Sequence, residues 1–176
     1  MKFCRAPGGG WLVWLRNHVG LCVCLTLVVA LIGFIFGNSL ESGPESMQTS
    51  NAVVEVVKPI VDPQDQIDDE QFSFSIRKLA HFTEFFWLGM ALCGVVVCVA
   101  DAGRGKAPVL SHPPVCAALL MSLLVAVTDE WIQSFTARTS SVRDVLLDFL
   151  GSLCGFFLTA LAVHLFKSLL RRRERK

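Results

Sequence analysis

The chain has 176 residues and a formal charge of +1, with 53% hydrophobic residues, 18% charged residues and a mean hydropathy of +0.55. Soluble domains carry about 25% charged residues, and a near-neutral charge leaves no electrostatic footprint for nucleic acid. The apolar residues lie in four stretches, each near the roughly 20 residues that a helix needs to cross a bilayer; this excludes a soluble enzyme, a nucleic-acid module and a disordered tail, and leaves no room for a second domain.

The expected fold is therefore an all-α integral membrane protein with four transmembrane helices, over about 19–37, 77–100, 114–132 and 143–166. Residues 1–18 form a basic tail with Lys2, Arg5 and Arg16. The first span has a signal-like basic flank, but Ile35, Phe36 and Gly37 make no small-x-small cleavage site, so it is expected to stay uncleaved. Gly37, Asn38 and Ser39 end it. An acidic connection follows, with Glu41, Glu45, Glu55, Asp62, Asp65, Asp68, Asp69 and Glu70. Within it, Val53, Val54, Val57 and Ile60 recur at helical spacing, which predicts a short amphipathic surface helix over 51–59. Lys58-Pro59 is expected to stop that helix, and 62–71 to form a solvated acidic loop. After the second span, Gly103, Gly105, Pro108, Pro113 and Pro114 predict a turn over 102–114. A tight connection over 134–141 joins the last two spans, and 167–176 is a second basic tail.

Charge sets the expected orientation. With four spans both termini share a side, and that side, with Arg104 and Lys106, holds eleven of the sixteen basic residues. The positive-inside rule makes it the cytoplasm. The acidic connection then faces outward.

The chemistry lies in charges that spans should not contain, each costing about 2.5 to 3.5 kcal/mol at a helix centre and less near its ends. Arg77, His81 and Glu84 fall on one stripe of the second span, with Lys78 beside them. Asp129 and Gln133 are four apart in the third span, next to Glu130; Asp144 and Asp148 are four apart in the fourth, on a stripe that continues through Gly151 and Gly155. The alternating directions of the spans put Glu84, Asp129 and Asp148 within about two turns of the outer interface. Groups of this kind face one another or water rather than lipid, which predicts a single polar cluster just below the outer surface. Arg138 and Arg143 flank it. The Gly151-x-x-x-Gly155 spacing predicts close helix packing beneath it, and Ala118, Ser122 and Ala126 give the third span a similar small-residue face.

Three segments together resemble the VanZ-like family of small bacterial membrane proteins. They are Arg77-Lys78-Leu79-Ala80-His81-Phe82-Thr83-Glu84-Phe85-Phe86, Asp129-Glu130-Trp131-Ile132-Gln133-Ser134-Phe135, and Arg138 with Val142-Arg143-Asp144-Val145-Leu146-Leu147-Asp148, Gly151 and Gly155. Asn38-Ser39 and Ser42-Gly43 are similar to the family's weaker serine-rich motif. The resemblance implies a multi-pass protein of the bacterial plasma membrane whose namesake raises resistance to teicoplanin, without a settled biochemical activity. It also implies that Arg77, Lys78, His81, Glu84, Asp129, Glu130, Gln133, Arg138, Asp144 and Asp148 are the functional polar positions. The chain departs from the family at Thr136-Ala137, where Pro-Gly is common, and at Phe85 and Phe86, where a Tyr is usual.

Several functional classes stay open at this point. The favoured one is a protein that acts at the outer face of the membrane in a cell-envelope or glycopeptide-type antibiotic response, binding an anionic lipid headgroup or a cell-wall precursor. Another is a membrane-embedded, metal-dependent enzyme on a lipid-linked substrate, with His81, Glu84, Asp129, Asp144 and Asp148 as candidate ligands for a divalent metal. Against familiar versions, the chain has no HExxH and no phosphatase-type Pro-Ser-Gly-His. A small proton-coupled transporter is the third class, suggested by His81 beside Glu84. The cluster is also compatible with a purely structural clamp between helices.

Overall fold

The structure, a computed structural model, describes residues 10–41, 43–102, 113–136 and 140–173. Among these it contains five helices and no strand: α1 (Gly10–Ser39), α2 (Gly43–Val61), α3 (Asp69–Ala102), α4 (Pro113–Gln133) and α5 (Val142–Arg173). Four of them, α1, α3, α4 and α5, are long and apolar enough to cross a membrane. They are amphipathic only weakly because their outward faces are as apolar as their inward ones. Val29, Leu79, Leu124, Leu146 and Leu165 are all exposed, as expected of helices whose solvent is lipid.

The helices outrun the apolar stretches that identify them. α3 has 34 residues, about 51 Å at 1.5 Å per residue, against a hydrocarbon core of about 30 Å. Its start at Asp69 shortens the expected loop over 62–71 to 62–68, and the helix begins eight residues before the expected span start near 77. Asp68 supplies the reason: its carboxylate accepts a hydrogen bond from the Glu70 amide at 3.2 Å, an N-cap, and Asp69 and Glu70 sit in the first turn, where the helix dipole favours negative charge. Arg77 therefore lies two turns inside a helix. At α5, Ser141 caps the start through its hydroxyl to the Arg143 amide, 3.2 Å, and Arg171, Arg172 and Arg173 complement the dipole at the far end.

α2 is also longer than expected. It begins at Gly43 and runs through Pro59 to Val61, rather than stopping at Lys58-Pro59. A proline removes one amide and crowds the carbonyl four residues back. Only the final half-turn follows Pro59, and the Asp62 amide closes it onto the Lys58 carbonyl at 2.8 Å. α2 turns Ser50 and Val54 inward and leaves Val53, Val56, Ile60 and Val61 exposed. Its inner face rests on the start of α3, where Phe72 and Ser73 are buried.

α3 is the hub, in contact with each of the other helices, and its interface with α5 is the most extensive. Glycine makes that interface possible. A Cβ on Gly155 would collide with the Phe86 carbonyl, one on Gly151 would lie 3.3 Å from the Phe82 carbonyl carbon, and one on Gly89 would collide with the Ser152 carbonyl. The Ser152 hydroxyl donates to the Phe85 carbonyl at 3.0 Å across the same contact. α4 adds a face of Ala118, Ser122, Val125 and Ala126, and Ile35, Phe85, Leu88, Cys93 and Phe156 fill the core. At one end of the bundle Lys167 bonds Asp101 at 2.7 Å. The polar groups of the motifs meet at the other end.

Candidate functional site

Four helices contribute to one polar cluster. α1 ends there with Asn38 and Ser39, α3 passes through with Lys78, His81 and Glu84, α4 ends there with Asp129, Glu130 and Gln133, and α5 begins there with Asp144 and Asp148. Asp129 is fully buried and Asp148 is 1% exposed. The Ser39 hydroxyl donates to Asp129 Oδ1, and the Gln133 amide donates to Asp129 Oδ2 at 2.7 Å. His81 Nδ1 lies 3.8 Å from Asp129 Oδ2 and 3.9 Å from Glu84 Oε2. Glu84 accepts a 2.8 Å hydrogen bond from the Asn38 side chain.

Lys78, Asp144 and Glu130 make their own contacts at the edge of the cluster. Lys78 bonds Asp144, linking α3 to α5, and its ammonium sits 4.6 Å above the Phe74 ring. Glu130 accepts the Ser141 amide at 2.9 Å and so ties α4 to the cap of α5. Arg143 is exposed. Arg138 lies outside the described residues. Asp148 faces His81 and Asp129, and one ligand atom from each of the three lies within 4.8 Å of the others. Among the described residues, neither oxygen of Asp148 has a hydrogen-bond partner. Gly151 and Gly155 continue the Asp148 stripe into the α3 contact.

A second feature lies one turn toward the helix start. Between α2, the 62–68 connection and the first turns of α3 is a cleft of about 1040 Å³. Ser73 and Arg77, four apart on one face of α3, line it, and among the described residues Ser73 Oγ and Arg77 Nε are buried without hydrogen-bond partners. Glu55, Asp62, Asp65, Asp69 and Glu70 form an acidic rim. Lys58 crosses that rim, bonding Asp65 at 2.5 Å and also Asp69, and those hydrogen bonds hold its ammonium well above the ordinary lysine range. The Ile67 and Gln66 amides hold the Asp62 carboxyl below its usual value, so this turn keeps its negative charge.

A family model described as VanZ/LLP1 matches residues 24–164. The chain belongs to the VanZ/LLP1 family. That match covers α3 and α4, most of α5, the latter half of α1 and the cluster they build. No curated protein and no solved structure matches the chain. This VanZ-family protein is thus a helical membrane protein whose motif residues converge at one end of the bundle.

Sequence reasoning missed two residues and the cleft. Asn38 and Ser39 were legible only as the end of a span and as part of a weak serine-rich motif, yet they bond Glu84 and Asp129. A pair of amide and hydroxyl side chains at the same expected depth as three carboxylates was the available signal. The cleft depends on how α2 lies over α3, which no local pattern encodes.

Proposed function

We propose that this VanZ-family protein resides in the bacterial plasma membrane with both termini in the cytoplasm, and that it binds the headgroup of a lipid or lipid-linked envelope precursor at the outer face. Its role is in the cell envelope, including the response to glycopeptide antibiotics. The observation that carries this reading is that Ser73 and Arg77 line a cleft of about 1040 Å³ while Ser73 Oγ and Arg77 Nε are left without hydrogen-bond partners among the described residues. Ser73 is six residues before the apolar stretch that begins at Leu79, about 9 Å above it along the helix, which is headgroup depth. A guanidinium and a hydroxyl suit a phosphate. The acidic rim suits an amine, so the preferred headgroup carries both.

Binding is tested by titrating purified protein with short-chain phosphatidylethanolamine and phosphatidylglycerol while following thermal unfolding. Protection by the amine-bearing lipid is expected, and Arg77→Ala should weaken it about 10- to 100-fold, the cost of one charge-assisted contact. Equal protection of the variant and the parent would refute the reading. Orientation has its own test. In a background without native thiols, Ser46→Cys should react with an impermeant maleimide on intact cells and Ala107→Cys should not, following the basic asymmetry. The reverse pattern would invert the topology and place the cleft on the cytoplasmic side.

A further inference from the structure

We infer that His81, Asp129 and Asp148 form a binding site for a divalent transition-metal ion, zinc by preference, buried about one helical turn below the headgroup cleft. Three helices each bring one ligand, and the three ligand atoms lie within 4.8 Å of one another. A tetrahedral zinc site with bonds of about 2.0 Å has edges of about 3.3 Å. Small side-chain rotations close that difference.

Charge balance is the stronger part of the case. Asp129 and Asp148 are buried inside an apolar helical bundle, and a buried carboxylate is costly unless it is paired or coordinates a metal. Asp129 has Ser39 and Gln133. Asp148 has no hydrogen-bond partner on either oxygen among the described residues, although it faces the centre of the cluster. The neighbouring Lys78 is engaged by Asp144. A single divalent cation would balance both carboxylates and satisfy Asp148 directly.

The donor set selects the ion. One imidazole and two carboxylates fit zinc better than magnesium or calcium, which favour oxygen alone. The donors around Asp129 match the outer shell of a metal site, where hydrogen bonds fix a ligating carboxylate before the metal arrives. Three protein ligands leave a fourth position open to water or an incoming oxygen. His81 follows Arg77 by four residues on α3, about 6 Å further along the helix. An oxygen from a headgroup held at Arg77 is thus the natural occupant of that position.

The test uses the full chain purified in detergent without chelator and without added lipid, so its outcome is independent of the headgroup reading. Elemental analysis should find about one zinc ion per chain. Stripping with EDTA should lower the melting temperature and added Zn²⁺ should restore it by mass action. Co²⁺ added to stripped protein should give visible d–d absorption. Asp148→Asn should abolish those bands while the stripped variant still folds, and Gln133→Ala should weaken Co²⁺ binding about tenfold or more. Stripped protein that neither binds Co²⁺ nor melts higher with Zn²⁺ would overturn the proposal, as would Co²⁺ bands unchanged in Asp148→Asn. Melting that responds to pH but not to metal would also overturn it, in favour of a proton shared between the two carboxylates.

Discussion

Gly155→Ala is expected to destabilise the bundle by about 2 to 3 kcal/mol, the upper part of the range for overpacking a close contact. The added methyl would collide with the Phe86 carbonyl and lie 2.9 Å from its carbon and 3.2 Å from the Met90 amide nitrogen. Every obstacle is backbone, so no side chain can turn aside. Gly89→Ala meets the same wall from the opposite helix, with the Ser152 carbonyl carbon and Cα both at 2.8 Å. The two helices must separate in either variant. The double variant should therefore cost less than the sum of the singles, since the first separation makes room for the second methyl. Gly33→Ala and Gly37→Ala meet nothing within 4 Å and should change stability by no more than about 0.5 kcal/mol. Unfolding in mixed micelles measures all five proteins. Equal melting of Gly155→Ala and Gly33→Ala would show that α3 and α5 do not approach as closely as described.

That contrast also shows what hydropathy can and cannot reveal. Four spans are legible because lipid demands about 20 apolar residues in a row, a constraint local to each segment. Gly151 and Gly155 are legible as a pair because four-residue spacing repeats a helix face. Gly89 is not, because it and Gly94 in the apolar stretch Phe85 to Val97 are five apart and repeat no helix face, and Gly89 stands out only once Ser152 of α5 lies against it. The cluster follows the same division. Alternating span directions bring Glu84, Asp129 and Asp148 to a shared depth, but depth alone does not assign partners. Asp144 lies on the Asp148 stripe and yet pairs with Lys78, while Glu130, adjacent to Asp129, points to the α5 cap. Those assignments depend on helix rotation about the long axis. Helix ends were obscured for another reason: Asp68 and Ser141 cap α3 and α5 in stretches whose polarity resembles loop.

Substitution should cost stability at Asp129 but not at Asp148, although both are buried aspartates in one cluster. Asp129→Ala removes the acceptor of two hydrogen bonds, from the Ser39 hydroxyl and the Gln133 amide, and leaves the Gln133 amide only its longer bond to Ser39 Oγ at 3.4 Å in a dry interior. Bonds to a charged group are each worth about 1.5 to 3 kcal/mol, whereas polar contacts in membranes average about 0.6. The expected loss lies between these limits, about 2 to 3 kcal/mol after relief of the buried charge. Asp129→Asn recovers only part of it, because its amide nitrogen turns a donor toward Ser39 or Gln133. Asp148→Asn removes a charge that has no hydrogen-bond partner among the described residues, so in EDTA it should leave stability unchanged or raise it by about 1 kcal/mol. Zinc reverses the ranking of the parent and this variant, since only the parent then gains binding energy. Unfolding curves for the parent, Asp129→Ala and Asp148→Asn, each with EDTA and with Zn²⁺, separate these terms. A loss of about 2 kcal/mol or more for Asp148→Asn in EDTA would mean that its carboxylate already has a protein partner, and the cluster would then be a clamp between α3, α4 and α5 rather than a site that awaits an ion.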